Sequence, residues 1–156
     1  MSIVKTVLIG LTASTMVVLV YGQTDIEMTD DCLGCLCEAS TRCNTSMGCQ
    51  YDSEKVCGPF LISTPYWIDA GKPVLNEKDD PRAENAYNNC VHDYTCSVKT
   101  IRNYMAKYGK DCNGDGVIDC DDFARLHMFG YPDCSKPYKP IFNRRFSYCI
   151  NNAIFY

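Results

Sequence analysis

The sequence lacks a run of basic residues, an internal repeat and any heptad or Gly-X-Y period. Its 15 Lys and Arg are outnumbered by 19 Asp and Glu, for a net charge of −4 over 156 residues, so a nucleic-acid-binding surface is not indicated. The missing periods exclude collagen-like and coiled-coil chains. With 46% apolar and 12% aromatic residues, the composition excludes disorder and predicts one folded domain.

The first 22 residues have the pattern of a secretory signal peptide. Lys5 is their only charge, an apolar stretch runs from Thr6 to Tyr21, and Val20-Tyr21-Gly22 offers a cleavage site. The stretch is short for a bilayer, which needs about 20 residues; an uncleaved anchor is the alternative. We expect a secreted, extracellular chain, residues 23–156, with no membrane span. Cleavage removes one lysine and no acid, so the net charge becomes −5.

Twelve cysteines, an even number, all lie in the mature part. In an oxidising compartment they predict about six disulfides. The first three also have the spacing of zinc ligands, but the chain has only two histidines and the other cysteines are spread along it. The cysteines are Cys32, Cys35, Cys37, Cys43, Cys49, Cys57, Cys90, Cys96, Cys112, Cys120, Cys134 and Cys149. The sequon at Asn44 predicts an exposed glycan acceptor.

Apolar spacing and turn residues predict a helix-dominated chain with a short β-region. The predicted elements are a helix capped by Asp30 or Asp31, a β-region over 44–63 ending in a strand Pro59–Ile62, an irregular loop over 70–82, helices Cys96–Tyr108 (ended by Gly109) and Asp121–Met128, and an aromatic tail pinned by Cys134 and Cys149. The fold class is therefore α+β, in one small domain that depends on its disulfides.

Several of these segments resemble one known family. The motifs are Cys32-Leu-Gly-Cys-Leu-Cys37, Gly48-Cys49, Cys57-Gly-Pro-Phe-Leu-Ile62, Tyr66-Trp67-Ile-Asp-Ala-Gly-Lys-Pro73, Asn103-Tyr104-Met105 and Phe123-Ala-Arg-Leu-His127. They resemble the invertebrate-type (i-type) lysozymes, also called destabilases, and most closely the insect-like branch, over roughly residues 31–134. The resemblance implies a lysozyme-like fold with a cleft for bacterial peptidoglycan, a role in antibacterial defence or digestion of bacteria, and no required cofactor.

The resemblance also locates the catalytic positions. Retaining glycosidases use two carboxyl groups about 5–5.5 Å apart, one as general acid and one as its partner. The partner position is Asp52, but the general-acid position, a glutamate in the family, is Ser40. A serine hydroxyl does not donate a proton near neutral pH, and losing a general acid costs about 10²–10⁴ in rate. Two other acids are candidates to replace the missing general acid. Glu38 would point away from Ser40 around the helix, whereas Glu54 could enter the mouth of the cleft.

Three function classes stay open at this point: a glycosidase acting on peptidoglycan, a non-catalytic peptidoglycan-binding protein and an isopeptidase. Ser40 and the acidic net charge argue against lysis, because bacterial envelopes are anionic. Isopeptidase activity in the family is attributed to a serine with a basic partner, for which the candidates are Ser40, Ser53, Lys55 and His127. No spacing establishes such a pair. Asp52 has its own alternative, a carboxylate that caps a turn.

Three further residues are candidate sugar contacts by the resemblance. Tyr66 and Trp67 would stack on sugar rings, with a place in the core as the alternative. His127 matches a family histidine near the cleft, with a partly exposed helical histidine as the alternative. Two cysteines of better-known members fall at Ala70 and Thr100, so we expect one disulfide of those members to be absent here.

Residues 111–122 have the pattern of a calcium loop, independently of the family. Such loops place oxygen ligands at positions 1, 3, 5, 7, 9 and 12 and a glycine at position 6, where Gly116 lies. The alternative is a polar turn between two helices. Calcium would have a structural role. The candidate ligands are Asp111, Asn113, Asp115, Val117 (through its backbone carbonyl), Asp119 and Asp122.

Overall fold

The computed structural model describes residues 27–51 and 53–152, together with two short antiparallel strands, β1 (Val7–Leu8) and β2 (Val18–Leu19). Apart from these two strands, the predicted signal peptide lies outside the described residues, and so does Asp52. Cleavage after residue 22 therefore stays a prediction. Within the described part, no helix combines the length and apolarity needed to cross a membrane.

The described main body is built of helices around one small antiparallel sheet, in the order β3-β4-β5. The elements are α1 (Asp30–Thr41), β3 (Cys49–Tyr51), β4 (Lys55–Cys57), β5 (Ile62–Ser63), α2 (Thr64–Asp69), α3 (Ala86–His92), α4 (Tyr94–Tyr108), α5 (Cys120–Asp133) and α6 (Pro140–Asn152). This is the helix-dominated α+β architecture predicted from the sequence. The segment between α2 and α3 contains no helix or strand, in agreement with the predicted loop.

Helix α1 is the central helix of the fold. Its N-cap is Thr29, whose hydroxyl accepts a hydrogen bond from the amide of Cys32. The predicted caps Asp30 and Asp31 are instead in the first turn, where acidic side chains interact favourably with the helix dipole. The helix ends at Arg42, which adopts a left-handed conformation with φ of 59°.

The three-stranded sheet is shorter than the sequence predicted. Cys49 lies opposite Cys57 in the β3–β4 pair, and β4 pairs with β5 through Cys57 and Ile62. The predicted strand Pro59–Ile62 is wrong, because Gly58 and Leu61 have φ of 75° and 54° and the backbone turns between them. An extended strand requires negative φ, so β5 begins only at Ile62.

Two predicted helices are present but longer. Helix α4 begins two residues earlier than predicted, with the Asp93 carboxylate accepting a hydrogen bond from the Cys96 amide, and Gly109 is its C-cap. Helix α5 continues to Asp133 across a kink at Gly130, where φ is 74°. Helices α2, α3 and α6 were not predicted, because the first two are short and α6 follows a loop rich in Lys and Pro.

All twelve cysteines are paired, which confirms the six predicted disulfides and rules against the zinc alternative. The bonds are Cys32–Cys120, Cys35–Cys149, Cys37–Cys43, Cys49–Cys57, Cys90–Cys96 and Cys112–Cys134. Two of them attach α1 to α5 and α6, and α6 packs along α1. The buried apolar side chains of α1, among them Leu33 and Leu36, form the middle of a single core.

Candidate functional site

A cleft of about 380 Å³ opens between α1, the β3–β4 turn, α5 and α6. Its polar lining includes Ser40, Ser53, Glu54, His127, Lys139 and Arg145. A second cavity of about 260 Å³ adjoins it and shares Glu54, Leu61 and His127 with it. The two cavities therefore form one groove, in which Glu54 and His127 border both halves.

Ser40 lies on the wall of the cleft, at the predicted general-acid position. Its hydroxyl donates a hydrogen bond of 2.8 Å to the carbonyl oxygen of Leu36, one turn earlier in α1. Glu38 is not among the cleft residues, whereas Glu54 lines both cavities, as the sequence suggested for each. Among the described residues Glu54 is thus the only acid of the first cleft, and Asp69 joins it in the second.

His127 is held neutral inside the groove wall. Its Nε2 lies 2.7 Å from the carbonyl oxygen of Phe60, which only accepts, so Nε2 carries the proton and donates. Nδ1 is then unprotonated and faces the hydroxyl of Tyr66 at 3.5 Å. Burial lowers the pKa of His127 to about 4, although the hydrogen bond to Phe60 acts in the opposite direction. A proton donor at neutral pH is therefore not available here.

The two candidate stacking aromatics occupy different places. Tyr66 borders the second cavity, but its ring is stacked on Tyr104 with centroids 3.8 Å apart, and burial raises the pKa of its hydroxyl. Trp67 is only 4% exposed and lines neither cavity. Its indole N–H donates to the carbonyl of Pro73 at 2.8 Å, so its single polar group is satisfied within the fold.

The candidate isopeptidase residues do not meet as a nucleophile and its base. Ser40 donates to Leu36, and both nitrogens of His127 already have partners. The Lys55 ammonium lies 3.4 Å from the side-chain oxygen of Asn88. Among the described residues it forms no hydrogen bond with Ser40 or Ser53. Within the part of the chain that the structure describes, no serine is hydrogen-bonded to a basic side chain.

The loop 111–122 is closed by hydrogen bonds from its own amides. Asp122 is fully buried, and one carboxylate oxygen accepts from the amides of Cys112 and Asn113 at 2.7 and 3.2 Å. The other oxygen accepts from Asp119, whose own side chain caps α5. Hydrogen bonds from Gly116 and other loop amides lower the pKa of Asp111.

This arrangement gives the loop acids structural roles that the sequence pattern did not predict. Both carboxylate oxygens of Asp122, at position 12 of the loop, accept hydrogen bonds from backbone amides in this conformation. Across residues 27–51 and 53–152, no group of three or more His, Cys, Asp or Glu side chains is placed to hold a metal ion. The flanking cysteines are joined elsewhere, Cys112 to Cys134 and Cys120 to Cys32.

The structure also describes the predicted glycan acceptor and the two positions at which better-known relatives carry cysteines. Asn44 is exposed, and its side-chain oxygen accepts from the Ser46 amide. Ala70 and Thr100, where better-known relatives carry cysteines, are both buried. The Thr100 hydroxyl donates to the carbonyl of Cys96 at 2.8 Å, so it satisfies its own polar group within α4.

Arg145 and Lys139 are cleft residues that sequence reasoning missed. Arg145 belongs to α6, which the sequence indicated only as an aromatic tail, and Lys139 directly precedes the first residue of that helix. The signal was present in the spacing, because Phe142 and Phe146 are four residues apart and both buried, while Arg145 lies beside them on the same turns. A helix with that buried stripe places Arg145 at the edge of the cleft.

Taken together, the disulfide-linked helices, the small sheet and the groove beside α1 define a lysozyme-like domain. The family model described as Destabilase matches residues 29–149. The lysozyme of Ostrea edulis is 36% identical over 113 residues, covering 70% of this chain and 72% of that protein. Invertebrate-type lysozyme 3 of Caenorhabditis elegans is 33% identical, with 67% and 73% covered.

Solved structures agree with these sequence relatives. The lysozyme of Meretrix lusoria, crystallised in complex with Aeromonas hydrophila PliI, superposes with a TM-score of 0.60 at 29% identity, over 78% of this chain and 89% of that one. The Tapes japonica lysozyme gives 0.55 at 29% identity, over 81% and 91%. The chain belongs to the Destabilase family, and the relatives described above are named as lysozymes.

Proposed function

We propose that this chain is a secreted, peptidoglycan-directed protein of the lysozyme family, acting in antibacterial defence or digestion of bacteria. We further propose that it binds peptidoglycan without cleaving it at the rate of a muramidase. Peptidoglycan as the ligand is supported by the relatives of this chain that are named lysozymes. Six disulfides and the N-terminal signal pattern support secretion.

The observation that carries the binding function is Ser40. Its side chain is a hydroxyl that donates to the Leu36 carbonyl, so the wall of the cleft has no proton donor where the family's general acid lies. His127 does not replace it, because it is neutral at working pH and its one N–H is bound to Phe60. Neither Ser40 nor His127 can therefore protonate a leaving-group oxygen on this side of the cleft.

Hydrolysis with a replacement acid is the second candidate function, and one observation favours it. Glu54 lines both halves of the groove, so its side chain borders the space in which we propose that a glycan chain binds. In this alternative Glu54 would be the general acid and Asp52 the partner carboxylate.

Product analysis of purified peptidoglycan separates the two candidates. We expect the mature wild-type chain to cosediment with peptidoglycan and to release no new reducing ends. We expect Ser40→Glu to restore cleavage, because it returns a carboxyl group to the cleft wall. Ser135→Glu, a matched change at an exposed serine outside the cleft, should remain inactive. Wild-type cleavage that is lost in both Asp52→Ala and Glu54→Gln would establish the hydrolytic alternative.

Calcium binding by residues 111–122 stays a prediction from the sequence. If the loop binds calcium, the melting temperature in calcium should exceed that in a chelator, since a ligand specific to the folded state stabilises it. Asp115→Ala removes an exposed loop carboxylate and should abolish the difference, while Asp133→Ala, an exposed acid outside the loop, should preserve it. Equal melting temperatures and no heat on titration with calcium would contradict the prediction.

A further inference from the structure

The α6 wall of the cleft carries a guanidinium group that has no charged partner among the described residues. Arg145 is partly buried beside α1, and its Nη1 lies 3.5 Å from the carbonyl oxygen of Ala39, next to Ser40 in the chain. Its Nε is buried and has no hydrogen-bond partner. Among the described residues no carboxylate forms an ion pair with Arg145.

A buried Nε–H without a hydrogen-bond acceptor is an unusual feature in the wall of a cleft. Buried N–H groups are nearly always hydrogen-bonded, and an exception calls for a specific explanation. The guanidinium carries five N–H donors in a rigid planar fork that matches a carboxylate in two-point contact. The 3.5 Å hydrogen bond to Ala39 uses one Nη donor weakly. Among the described residues the two Nη groups make no other hydrogen bond, so their remaining donors can contact a ligand in the cleft.

The surroundings of Arg145 favour an anion with a short apolar body. Lys139 adds a second cationic side chain to the same wall, and the only described acid of the cleft, Glu54, comes from the β3–β4 turn on another wall. The same cleft is lined by Leu61, Met128 and Ile141, the last of which is 60% exposed. A charge at one end and aliphatic surface beside it are complementary to a carboxylate joined to small alkyl side chains.

We infer that Arg145 binds a free carboxylate of the peptide stem of peptidoglycan, with the stem's alanine methyl groups against Ile141 and Leu61. This inference rests on the proposed function and deepens it, because it assigns to the cleft a part of the ligand other than its sugar chain. An uncharged glycan such as a chitin oligomer offers no such carboxylate, so the site distinguishes peptidoglycan fragments from other amino-sugar polymers. Ser40 contributes by adding no competing carboxylate to the adjacent wall.

The test compares three soluble probes by calorimetric titration of the mature chain: a disaccharide-tetrapeptide muropeptide, the same compound with its carboxyl groups amidated, and a chitin tetramer. We expect the acidic muropeptide to bind about tenfold more tightly than its amidated form, as a charge-assisted hydrogen-bond pair provides. Arg145→Gln should remove this preference, so that the acidic and amidated muropeptides bind with similar affinity. Arg144→Gln deletes the same charge from an exposed neighbour outside the cleft and should keep the preference.

A second variant tests the site without changing Arg145. Ser40→Glu places a carboxylate next to the guanidinium and should reduce the affinity for the acidic muropeptide, whereas Ser40→Gln should not. Equal affinity of wild type for acidic and amidated muropeptides would overturn the inference while leaving the proposed function in place. Binding of none of the three probes, together with no cosedimentation with peptidoglycan, would overturn both.

Discussion

Three side chains determine the electrostatics of the cleft. Ser40 is neutral and its hydroxyl is directed back to its own helix, and His127 is neutral because burial disfavours its charged form. Arg145 contributes a cationic guanidinium group. The cleft therefore has a cationic α6 wall, a neutral floor at His127 and an acid at Glu54, which suits binding of an anionic ligand more than proton transfer.

His127 makes the stability of the fold depend on pH. Its pKa is about 4 in the folded protein and about 6.5 in an unfolded chain, so the unfolded state binds more protons between these values. Its contribution is complete above about pH 6.5 and is lost as pH falls through about 4, for a change of up to about 3 kcal/mol.

Urea unfolding from pH 7 to pH 4 measures this dependence. His127→Gln should flatten the part of the stability profile between pH 6.5 and pH 4. His92→Gln alters the chain's other histidine, which is exposed on α3, and should leave the profile as in wild type. A wild-type profile that His127→Gln does not change would contradict the assignment.

At the same scale, counting along the ordered cysteine pattern of the resembled family located Ser40 at the general-acid position. The sequence left open whether Glu54 reaches the cleft, which the structure shows. It did not predict the neutral state of His127 or the role of Asp122. Those depend on partners 67 and 10 residues away in the chain, which contact them only after folding.

At the scale of elements, the turn between β4 and β5 fixes the groove to the rest of the molecule. Gly58 has φ of 75°, and its backbone passes directly against the Val91 carbonyl of α3. Phe60, two residues after Gly58 in the turn, supplies the carbonyl oxygen that holds His127. The turn thus couples the sheet, α3 and the groove wall.

Gly58→Ala should destabilise the protein by about 3 kcal/mol or more. A Cβ at this position would overlap the Val91 carbonyl oxygen, in addition to the left-handed backbone that alanine disfavours by about 1–2 kcal/mol. Gly71→Ala is the matched control, because Gly71 has φ of 86° and open space around it. Thermal unfolding of both variants separates the cost of the overlap with Val91 from the cost of the left-handed backbone. Equal losses of stability in the two variants would show that the close approach of Gly58 to Val91 is unimportant.

The elements that periodicity predicted well are those with long buried stripes, α1 and α4. The prediction of a strand over Pro59–Ile62 was wrong because these apolar residues are buried while lying mostly in a turn. Over four residues, burial alone does not distinguish a turn from a strand. Helices α2 and α3 have six and seven residues, too few for a helical period to be recognised.

At the scale of the whole molecule, disulfides hold together segments that are far apart in the chain. Cys35 and Cys149 are separated by 114 residues and join α1 and α6, two of the helices that line the cleft. Cys37 and Cys43, by contrast, are six residues apart at the end of α1. An even cysteine count predicted that bonds exist, but their connectivity followed only from the fold.

Removing the long-range bond should cost far more stability than removing the local one. Loop-closure entropy gives about 5 kcal/mol for Cys35→Ser with Cys149→Ser, against about 2 kcal/mol for Cys37→Ser with Cys43→Ser. Denaturant unfolding of the two double variants under oxidising conditions checks the order. A larger loss in the local pair would show that chain entropy does not dominate.

The positions of the disulfides also determine what proteolysis can do to this protein. The longest stretch without a cysteine inside the domain runs from residue 58 to 89, and its irregular part exposes Lys78 and Arg82 to a trypsin-like protease. A cut there separates the chain into two pieces, but Cys32–Cys120 and Cys35–Cys149 each join one piece to the other. The nicked molecule stays one covalent unit with both cleft walls attached, and a reductant is required to release the fragments.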